Sequence, residues 1–167
     1  NGTGKEELDL LGVLEDFIHL NKTRFMPHQY HAILSGCQET VPVETKAEGT
    51  FTACCKAKYL KYKLSVSNIK NVTAVYLCLG RQFQTGIIAA VLYRPDSPVT
   101  VKGEAVLSKG KIRTSDLQEC MCLRDLIDLI ECGRVYVNVI TCKHPNGEIR
   151  GQVQQVPTQV VFQDWGI

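Results

Sequence analysis

The alternation of apolar and polar residues from His28 onward constrains the fold of this chain more than any other feature. Segments such as YLKYKLSVS (59–67) and NVTAVYLCLG (71–80) place apolar side chains at alternate positions, which is the period of a β-strand. Turn-forming stretches such as RPDSPVT (94–100) separate these segments at short intervals. The pattern predicts an all-β fold, an antiparallel Greek-key β-sandwich or barrel.

Two segments depart from this alternation and carry the spacing of amphipathic helices. Residues 5–20 repeat apolar side chains at helical intervals and begin with acidic residues, which a helix N-terminus favours. Residues 116–132 also repeat apolar side chains at helical intervals, with Ser115 placed to cap the helix and Gly133 placed to end it. The buried side of this second helix is predicted to consist of Leu117, Met121, Leu123, Leu126, Ile127 and Ile130. A last short strand is expected near residues 158–163.

Composition excludes several classes of function. The 167 residues carry a net charge of +2, with 44% hydrophobic and 22% charged residues, the balance of a globular domain. The densest basic run, KAKYLKYK (56–63), alternates with apolar residues and so favours the solvated face of a strand over an anion-binding patch. The sequence contains no basic stripe with interleaved aromatics, so nucleic-acid binding has little support. No apolar run approaches the roughly 20 residues that would span a bilayer.

Eight cysteines give the strongest indication of the compartment. An even number permits complete pairing, and eight free thiols would be a liability outside the cell. Sequons at Asn1, Asn21 and Asn71 also favour a secreted, extracellular glycoprotein. The cysteines expected to form disulfides are Cys37, Cys54, Cys55, Cys78, Cys120, Cys122, Cys132 and Cys142. The adjacent pair Cys54 and Cys55 should face opposite sides of a strand and take different partners.

Two further observations bear on the cellular compartment of the protein. The spacings CC and CxC differ from those of zinc ribbons, so a cytosolic zinc protein is the weaker alternative. The chain opens with NGTGKEE and no initiator methionine, so we expect a mature or trimmed form from which a targeting segment has been removed.

The stretch YVNVITCKHPNGEIRGQV (136–153) predicts a hairpin, two strands joined by a tight polar turn at 145–147. Asn138 lies inside the first strand, and backbone groups of the turn are its expected partners. Glu148 and Arg150 stand two residues apart on the second strand. They predict a charge-assisted pair or a clamp on neighbouring loops in preference to a catalytic pair.

No other constellation in the sequence predicts catalysis. The motifs G-x-S-x-G and H-E-x-x-H and the phosphate-binding loop are absent. Asp125, Asp128 and Glu131 fall on the exposed side of the second predicted helix, which is typical of a solvated face. His28 and His31 are expected to point to opposite faces of a strand, where they could not easily share a metal.

The order of these motifs resembles the CHRD domain, the repeated module of chordin that also occurs singly in other secreted proteins. The opening of that family, Leu-x-Gly followed by Glu-x-x-Pro-x-x-Thr and a glycine, matches FMPHQYHAILSGCQETVPVETKAEGTFTA (25–53). Its central segment matches VTAVYLCLG (72–80). Its long and specific ending matches DLIDLIECGRVYVNVITCKHPNGEIRGQ (125–152). The resemblance covers roughly residues 25–155.

This resemblance implies an antiparallel β-sandwich with the shape of copper–zinc superoxide dismutase. It implies that seven residues of the ending act as a fold signature: Tyr136, Asn138, Pro145, Gly147, Glu148, Arg150 and Gly151. It also implies domain limits, with a helical N-terminal extension at 1–24, a CHRD-like sandwich at 25–156 and a tail or last strand at 157–167.

Three histidines in the family's motifs are replaced in this chain. Tyr76 and Cys78 stand at two of these positions in the central segment, and Ile140 stands at the third, in the ending. Isoleucine has no donor atom and a neutral phenol is a poor ligand, so we expect neither a copper or zinc site nor a cofactor. If the three positions converge in space, Cys78 and Cys142 could form a disulfide in place of the imidazoles.

The leading hypothesis is therefore a secreted, disulfide-stabilised binding or structural module without catalytic residues. It would engage an extracellular protein or a matrix component, or associate with its own copies; it would not bind nucleic acid and would not span a membrane. One alternative is a superoxide dismutase-like metalloprotein, which would hold copper or zinc. Another is a carrier of a small apolar ligand, held between the sheets or under the N-terminal helix.

Overall fold

The computed structural model describes residues 28–118 and 120–157. In these ranges, antiparallel strands dominate and a single α-helix is inserted between two of them. The strands are β1 (Gln29–Ser35), β2 (Glu48–Cys55), β3 (Leu60–Leu79), β4 (Ile88–Tyr93), β5 (Val99–Ile112), β6 (Val135–Thr141), β7 (Ile149–Gln152) and β8 (Gln154–Gln155). The helix is α1 (Leu123–Glu131), and 3-10 turns lie at Gly36–Gln38 and Thr114–Asp116. The helix predicted at 5–20 and the strand predicted at 158–163 lie outside the described residues.

The sheet closes on itself through the long strand β3. The strand order is β2-β1-β7-β6-β3-β4, and β2 also pairs with β3. This is possible because β3 changes partner along its length: residues 60–67 pair with β2, and residues 72–79 pair with β6. β5 pairs with β3 from Leu60 to Val72, along the first half and the bend, and β4 pairs with the second half. The closed antiparallel arrangement confirms the predicted all-β sandwich or barrel.

The two strands predicted at 59–67 and 71–80 are one bent strand. Asn68 and Asn71 both adopt a left-handed conformation with φ of 53°, which asparagine tolerates better than most residues. The register against β5 shifts on both sides of Ile69. Bulges of this kind bend a strand without ending it. The sequence pattern was read correctly on each side of the bend, but the polar residues between them form a bulge and not a turn.

The core is built from the alternate apolar residues that the sequence pattern identified. Phe51, Leu60 and Leu64 are fully buried, and α1 adds Leu126 and Ile130. Each such side chain contributes about 1.5–3 kcal/mol relative to an exposed position. The other residues predicted for the buried side of α1 are partly buried against the same core: Leu117, Met121, Leu123 and Ile127. Among the described residues, no helix is long and apolar enough to cross a bilayer.

The inserted helix is shorter than its sequence pattern predicts. It begins at Leu123 and not at residue 116, and Cys122 stands at its N-cap where Ser115 was expected. Cys120 has a φ of 54°, a left-handed conformation through which an α-helix cannot continue. Apolar residues at helical spacing before this point pack against the core from irregular backbone, so the spacing alone placed the start too early.

Candidate functional site

The hairpin predicted at 136–153 forms β6 and β7, and its polar side chains share one face of the sheet. Asn138 pairs with Arg150 across the two strands, so these side chains point away from the apolar core that Val137 and Val139 enter. This polar face is nevertheless buried, because loops at 36–47 and 80–87 contact it. We call the buried polar residues here the clamp cluster: Glu39, Tyr136, Asn138, Glu148 and Arg150.

Arg150 joins both covering loops to the sheet. It is only 2% exposed, and its guanidinium lies over the Tyr136 ring, 3.5 Å from the ring centroid. One nitrogen donates to the carbonyl oxygen of Arg81 at 2.7 Å, and the other donates to Thr40 Oγ1 at 3.2 Å. A buried cation is stabilised only when its donors find partners in this way. Arg150 therefore acts as a tie between the two loops.

Glu148 ties the loop at 36–47 to the sheet a second time. Its two carboxylate oxygens accept hydrogen bonds from Thr45 Oγ1 and Thr141 Oγ1, each at 2.7 Å. Glu148 and Arg150 thus bind different partners. Of the two arrangements considered for these residues, the structure shows the loop clamp.

Tyr136 of the clamp cluster lies beside Cys78, with which it pairs between β6 and β3. The Tyr136 hydroxyl accepts a hydrogen bond from the backbone N–H of Gly86 at 3.0 Å and contacts the Cys78 thiol. Burial raises the pKa of the Cys78 thiol to about 11, and burial also raises the pKa of Tyr136. A nucleophilic cysteine needs the thiolate, which a raised pKa disfavours. This pair is therefore suited to packing and not to reaction.

Gly147 lets the turn of the hairpin approach two buried oxygens. Its φ is +122°, and a Cβ at this position would lie 2.3 Å from Asn138 Oδ1 and 2.5 Å from Glu39 Oε1. Asn138 Nδ2 donates to the Asn146 carbonyl oxygen at 3.3 Å, so its amide binds the turn backbone as expected. The oxygens Asn138 Oδ1 and Glu39 Oε1 both lack a donor.

Glu39 was missed as a site residue in the sequence. Glu39 was noted only as part of the motif at the start of the resemblance. The loop sequence does not indicate which of its side chains points inward. The side chain is 5% exposed. Burial raises the pKa of its carboxyl group to about 7, against the lowering effect of the Arg150 guanidinium. A carboxyl group that retains its proton can donate toward the neighbouring Asn138 Oδ1, which a carboxylate cannot do.

The three positions that correspond to histidines in the family that the sequence resembles lie on the polar face of the clamp cluster. Tyr76 and Cys78 are two residues apart on β3, and Tyr76 pairs with Asn138, two residues before Ile140 on β6. The Tyr76 hydroxyl accepts a hydrogen bond from Arg94 at 2.8 Å. Among residues 28–118 and 120–157, no group of three or more His, Cys, Asp or Glu side chains is placed to hold a metal ion.

The Cys78–Cys142 disulfide suggested by the resemblance is wrong for this fold. Cys78 pairs with Tyr136, whereas the backbone N–H of Cys142 donates to the carbonyl of Asn71 at 3.0 Å. The strand from Asn71 to Cys78 spans roughly 20 Å at about 3.3 Å per residue. A disulfide needs Cα atoms within about 7 Å. The two cysteines therefore lie at opposite ends of the β3–β6 pair, with Cys142 just past the end of β6.

The remaining cysteine and glycosylation predictions are not tested by the structure. All eight cysteines, each in the described part of the chain, carry free thiols, and their pairing stays a prediction. Cys54 and Cys55 face opposite sides as expected: Cys55 packs on the core, and Cys54 lines an outer groove. Asn71 is exposed at the bend of β3, whereas Asn1 and Asn21 lie outside the described residues.

The two walls held by the clamp cluster enclose an open groove of about 850 Å³. Residues 39–44 form one wall, and residues 143–147 form the other. Val41 stands at the rim with 79% of its surface exposed. The groove thus combines an exposed apolar rim with a floor that contains the buried Glu39, the mixture expected of a recognition surface.

Comparison with known proteins places this geometry in a family. The family model of the CHRD domain matches residues 30–153, well over half of the 167-residue chain. No curated protein and no solved structure matches the chain at a significant level. CHRD domains occur in extracellular proteins and are not a known enzyme family. The matched residues contain β2 to β7, nearly all of β1 and the hairpin of the clamp cluster, and the chain belongs to the CHRD-domain family.

Proposed function

We propose that this chain is a secreted, non-catalytic binding module that recognises an extracellular protein at the groove between residues 39–44 and 143–147. One observation carries the proposal: buried polar side chains of the clamp cluster hold both walls of the groove from beneath. Arg150 and Glu148 bind the loop of the first wall through Thr40 and Thr45, and Asn138 binds the second wall through the Asn146 carbonyl oxygen. A preformed surface loses little conformational entropy on binding, so ties such as Arg150 and Glu148 favour recognition.

The chemistry of the clamp cluster also favours binding over catalysis. The polar groups of Glu148 and Arg150 are already engaged by the fold. Cys78 and Tyr136 are held in their neutral forms by burial, because burial raises the pKa of each group. A catalytic group needs a proton or an electron pair that it can give up to a substrate, and these groups are poorly placed to supply one.

The test compares two exposed valines at different places on the surface. Val41 lies on the groove rim, and Val106, 51% exposed, lies on β5. Immobilised wild-type protein, Val41→Glu and Val106→Glu are each exposed to extracellular fluid at physiological salt. We expect the wild type and Val106→Glu to retain the same protein partner and Val41→Glu to lose it at least tenfold. Equal retention by all three, or no partner for any at micromolar concentration, would contradict the proposal.

Four measurements on protein purified from a secretory host accompany this test. Intact mass before and after reduction counts the disulfides, and enzymatic deglycosylation shows whether Asn71 is modified. Metal analysis addresses the dismutase-like alternative, since stoichiometric copper or zinc would argue for that activity.

Light scattering at increasing concentration tests whether the groove partner is a second copy of the chain. A dimer that Val41→Glu dissolves would assign the groove to self-association.

A further inference from the structure

Four lysines form a rectangle on the exposed surface of β3 and β5. Lys61 pairs directly with Lys111, and Lys63 pairs directly with Lys109. All four side chains are exposed. Directly opposed residues of an antiparallel pair have Cβ atoms about 5 Å apart, and residues two apart on one strand lie about 7 Å apart. We call this group the lysine quartet.

The arrangement of the lysine quartet is electrostatically unfavourable in the isolated molecule. Like charges directly opposite in a sheet repel each other. On the other side of β3, Lys61 and Lys63 face Cys54 and Thr52, neither of which is an acidic residue. Within residues 28–118 and 120–157, the Lys111 ammonium has a partial compensation, because it lies over the Tyr59 ring at 4.5 Å from the centroid. A partner with closely spaced negative charges would turn this repulsion into attraction.

The charge of this surface is concentrated at one end of the strands. The turn between β2 and β3 adds two exposed lysines, Lys56 and Lys58, next to the lysine quartet. The acidic residues Glu48 and Glu104 flank Ser67 toward the other end of the same strands. The basic area is therefore elongated, it borders the outer groove that Cys54 lines together with Lys61 and Lys63, and it is separate from the groove at residues 39–44.

We propose that the lysine quartet binds a linear sulfated polysaccharide of the extracellular matrix. The proposal rests on the extracellular location in the proposed function and adds a partner class at a second surface. Lysine ammonium groups are point charges that do not require a fixed ligand orientation, which suits sulfate groups carried at variable positions on a polymer. An elongated surface with several lysine charges can follow the sulfate groups along such a polymer.

The surface is less well suited to the other common polyanions. Binding of unpaired bases requires free aromatic rings, but Tyr59 is covered by Lys111 and Tyr62 is buried beneath the strands. Insertion into a lipid surface requires apolar anchors beside the basic residues. The neighbours Thr52 and Ser65 are polar, and the exposed large apolar residue that β3 and β5 offer is Val106, opposite Ser65, which is a single anchor.

The experiment measures binding of the whole chain to immobilised heparin, with desulfated heparin as the reference. The test variant replaces Lys61, Lys63, Lys109 and Lys111 by glutamine. The matched control replaces four other lysines that line a different pocket, Lys46, Lys70, Lys102 and Lys143, and so changes the net charge equally. We expect the test variant to bind at least tenfold more weakly than the wild type, and the control to remain within about threefold.

Affinity should fall steeply as salt is raised, because ion release accompanies binding to a polyanion. Equal loss in both variants, or equal binding to desulfated heparin, would overturn the proposal. Tighter binding to single-stranded DNA or to anionic phospholipid vesicles at the same salt would also overturn it. Val41→Glu should bind heparin like the wild type. Loss of heparin binding in the quartet variant is thus independent of whether the groove captures a protein, and each proposal can fail alone.

Discussion

Arg150 and Lys63 are both cations on strands of one closed sheet, yet their surroundings differ in every respect. Arg150 is buried, lies over the Tyr136 ring and donates to two loops. Lys63 is exposed and stands directly opposite Lys109. The first arrangement satisfies a buried charge with partners from the fold. The second leaves a charge available to partners outside it.

The difference between the clamp cluster and the lysine quartet separates structural from interaction roles. A buried charge that loses its partners destabilises the fold strongly, whereas an exposed charge among like charges can be removed without loss. Both regions depend on β3, whose second half borders the clamp cluster and whose first half carries part of the lysine quartet. Stability measurements on paired variants can therefore test the distinction within one strand system.

The largest expected effect comes from Arg150→Ala. It removes the contact with Tyr136 and leaves the Arg81 carbonyl and Thr40 hydroxyl without their donor, so the free energy of unfolding should fall by about 3–5 kcal/mol. Urea unfolding monitored by fluorescence or circular dichroism measures the change. The control, Lys63→Ala, should alter stability by less than about 0.5 kcal/mol. Similar effects of the two substitutions would remove the contrast between the regions.

Gly147→Ala should destabilise the fold by about 2–4 kcal/mol. The added methyl group would overlap Asn138 Oδ1 and Glu39 Oε1, in addition to the strain of a positive φ. Gly103→Ala is the matched control, because Gly103 also has a positive φ, of +72°, but open space around it. It should cost only about 1 kcal/mol. If the two variants unfold at the same urea concentration, the tight approach of the turn to the clamp cluster is not real.

Glu39 predicts a pH dependence that originates in the clamp cluster. Its pKa is about 7 in the folded protein against an ordinary value of 4.5, so the folded state binds the proton more tightly. The resulting stabilisation is present below pH 4.5 and is lost as the pH rises to about 7, by up to about 3 kcal/mol.

The measurement for Glu39 is urea unfolding from pH 4 to pH 8 with Glu39→Gln beside the wild type. The variant keeps a neutral side chain, so the wild type should lose stability relative to it across this range. Glu44→Gln changes an exposed carboxyl group in the same loop and should follow the wild type. A constant difference between the wild type and Glu39→Gln would show that the Glu39 carboxyl group is not buried as described.

The smallest expected effect has the opposite sign. Replacing the four lysines of the quartet by glutamine removes two directly opposed like-charge pairs, each worth about 0.2–1 kcal/mol. The variant should be slightly more stable than the wild type at low salt, and the gain should shrink as salt screens the repulsion. Thermal unfolding at two salt concentrations measures it. Destabilisation by this variant would mean that these lysines hold the fold together and do not serve a partner.

Much of the fold was predictable because its cause is local. Period-two alternation marked the strands, and it did so because one face of each strand is buried in the core. The same reasoning failed at Cys120, where left-handed backbone delays the start of the helix, and at Asn68 and Asn71, where bulges join two predicted strands. Backbone conformation at single residues leaves little trace in an apolar pattern.

The candidate site was only partly predictable for the same reason. Asn138, Glu148 and Arg150 were recognised as clamp residues because they lie within one hairpin. The inward turn of Glu39 was not visible, since its partners come from distant parts of the chain. The proposed Cys78–Cys142 pair failed because sharing a face of a strand says nothing about distance along it.

The amino-acid sequence by itself determined which residues form strands, which side of each strand faces the core and which family the chain resembles. Each of these depends on residues close together in the chain. Only the tertiary structure decided that Lys61 and Lys63 meet Lys111 and Lys109, and that Glu39 closes against Gly147. Register between distant strands is set by the packing of the whole sheet, so charges separated by more than 40 residues become neighbours only when the sheet has closed.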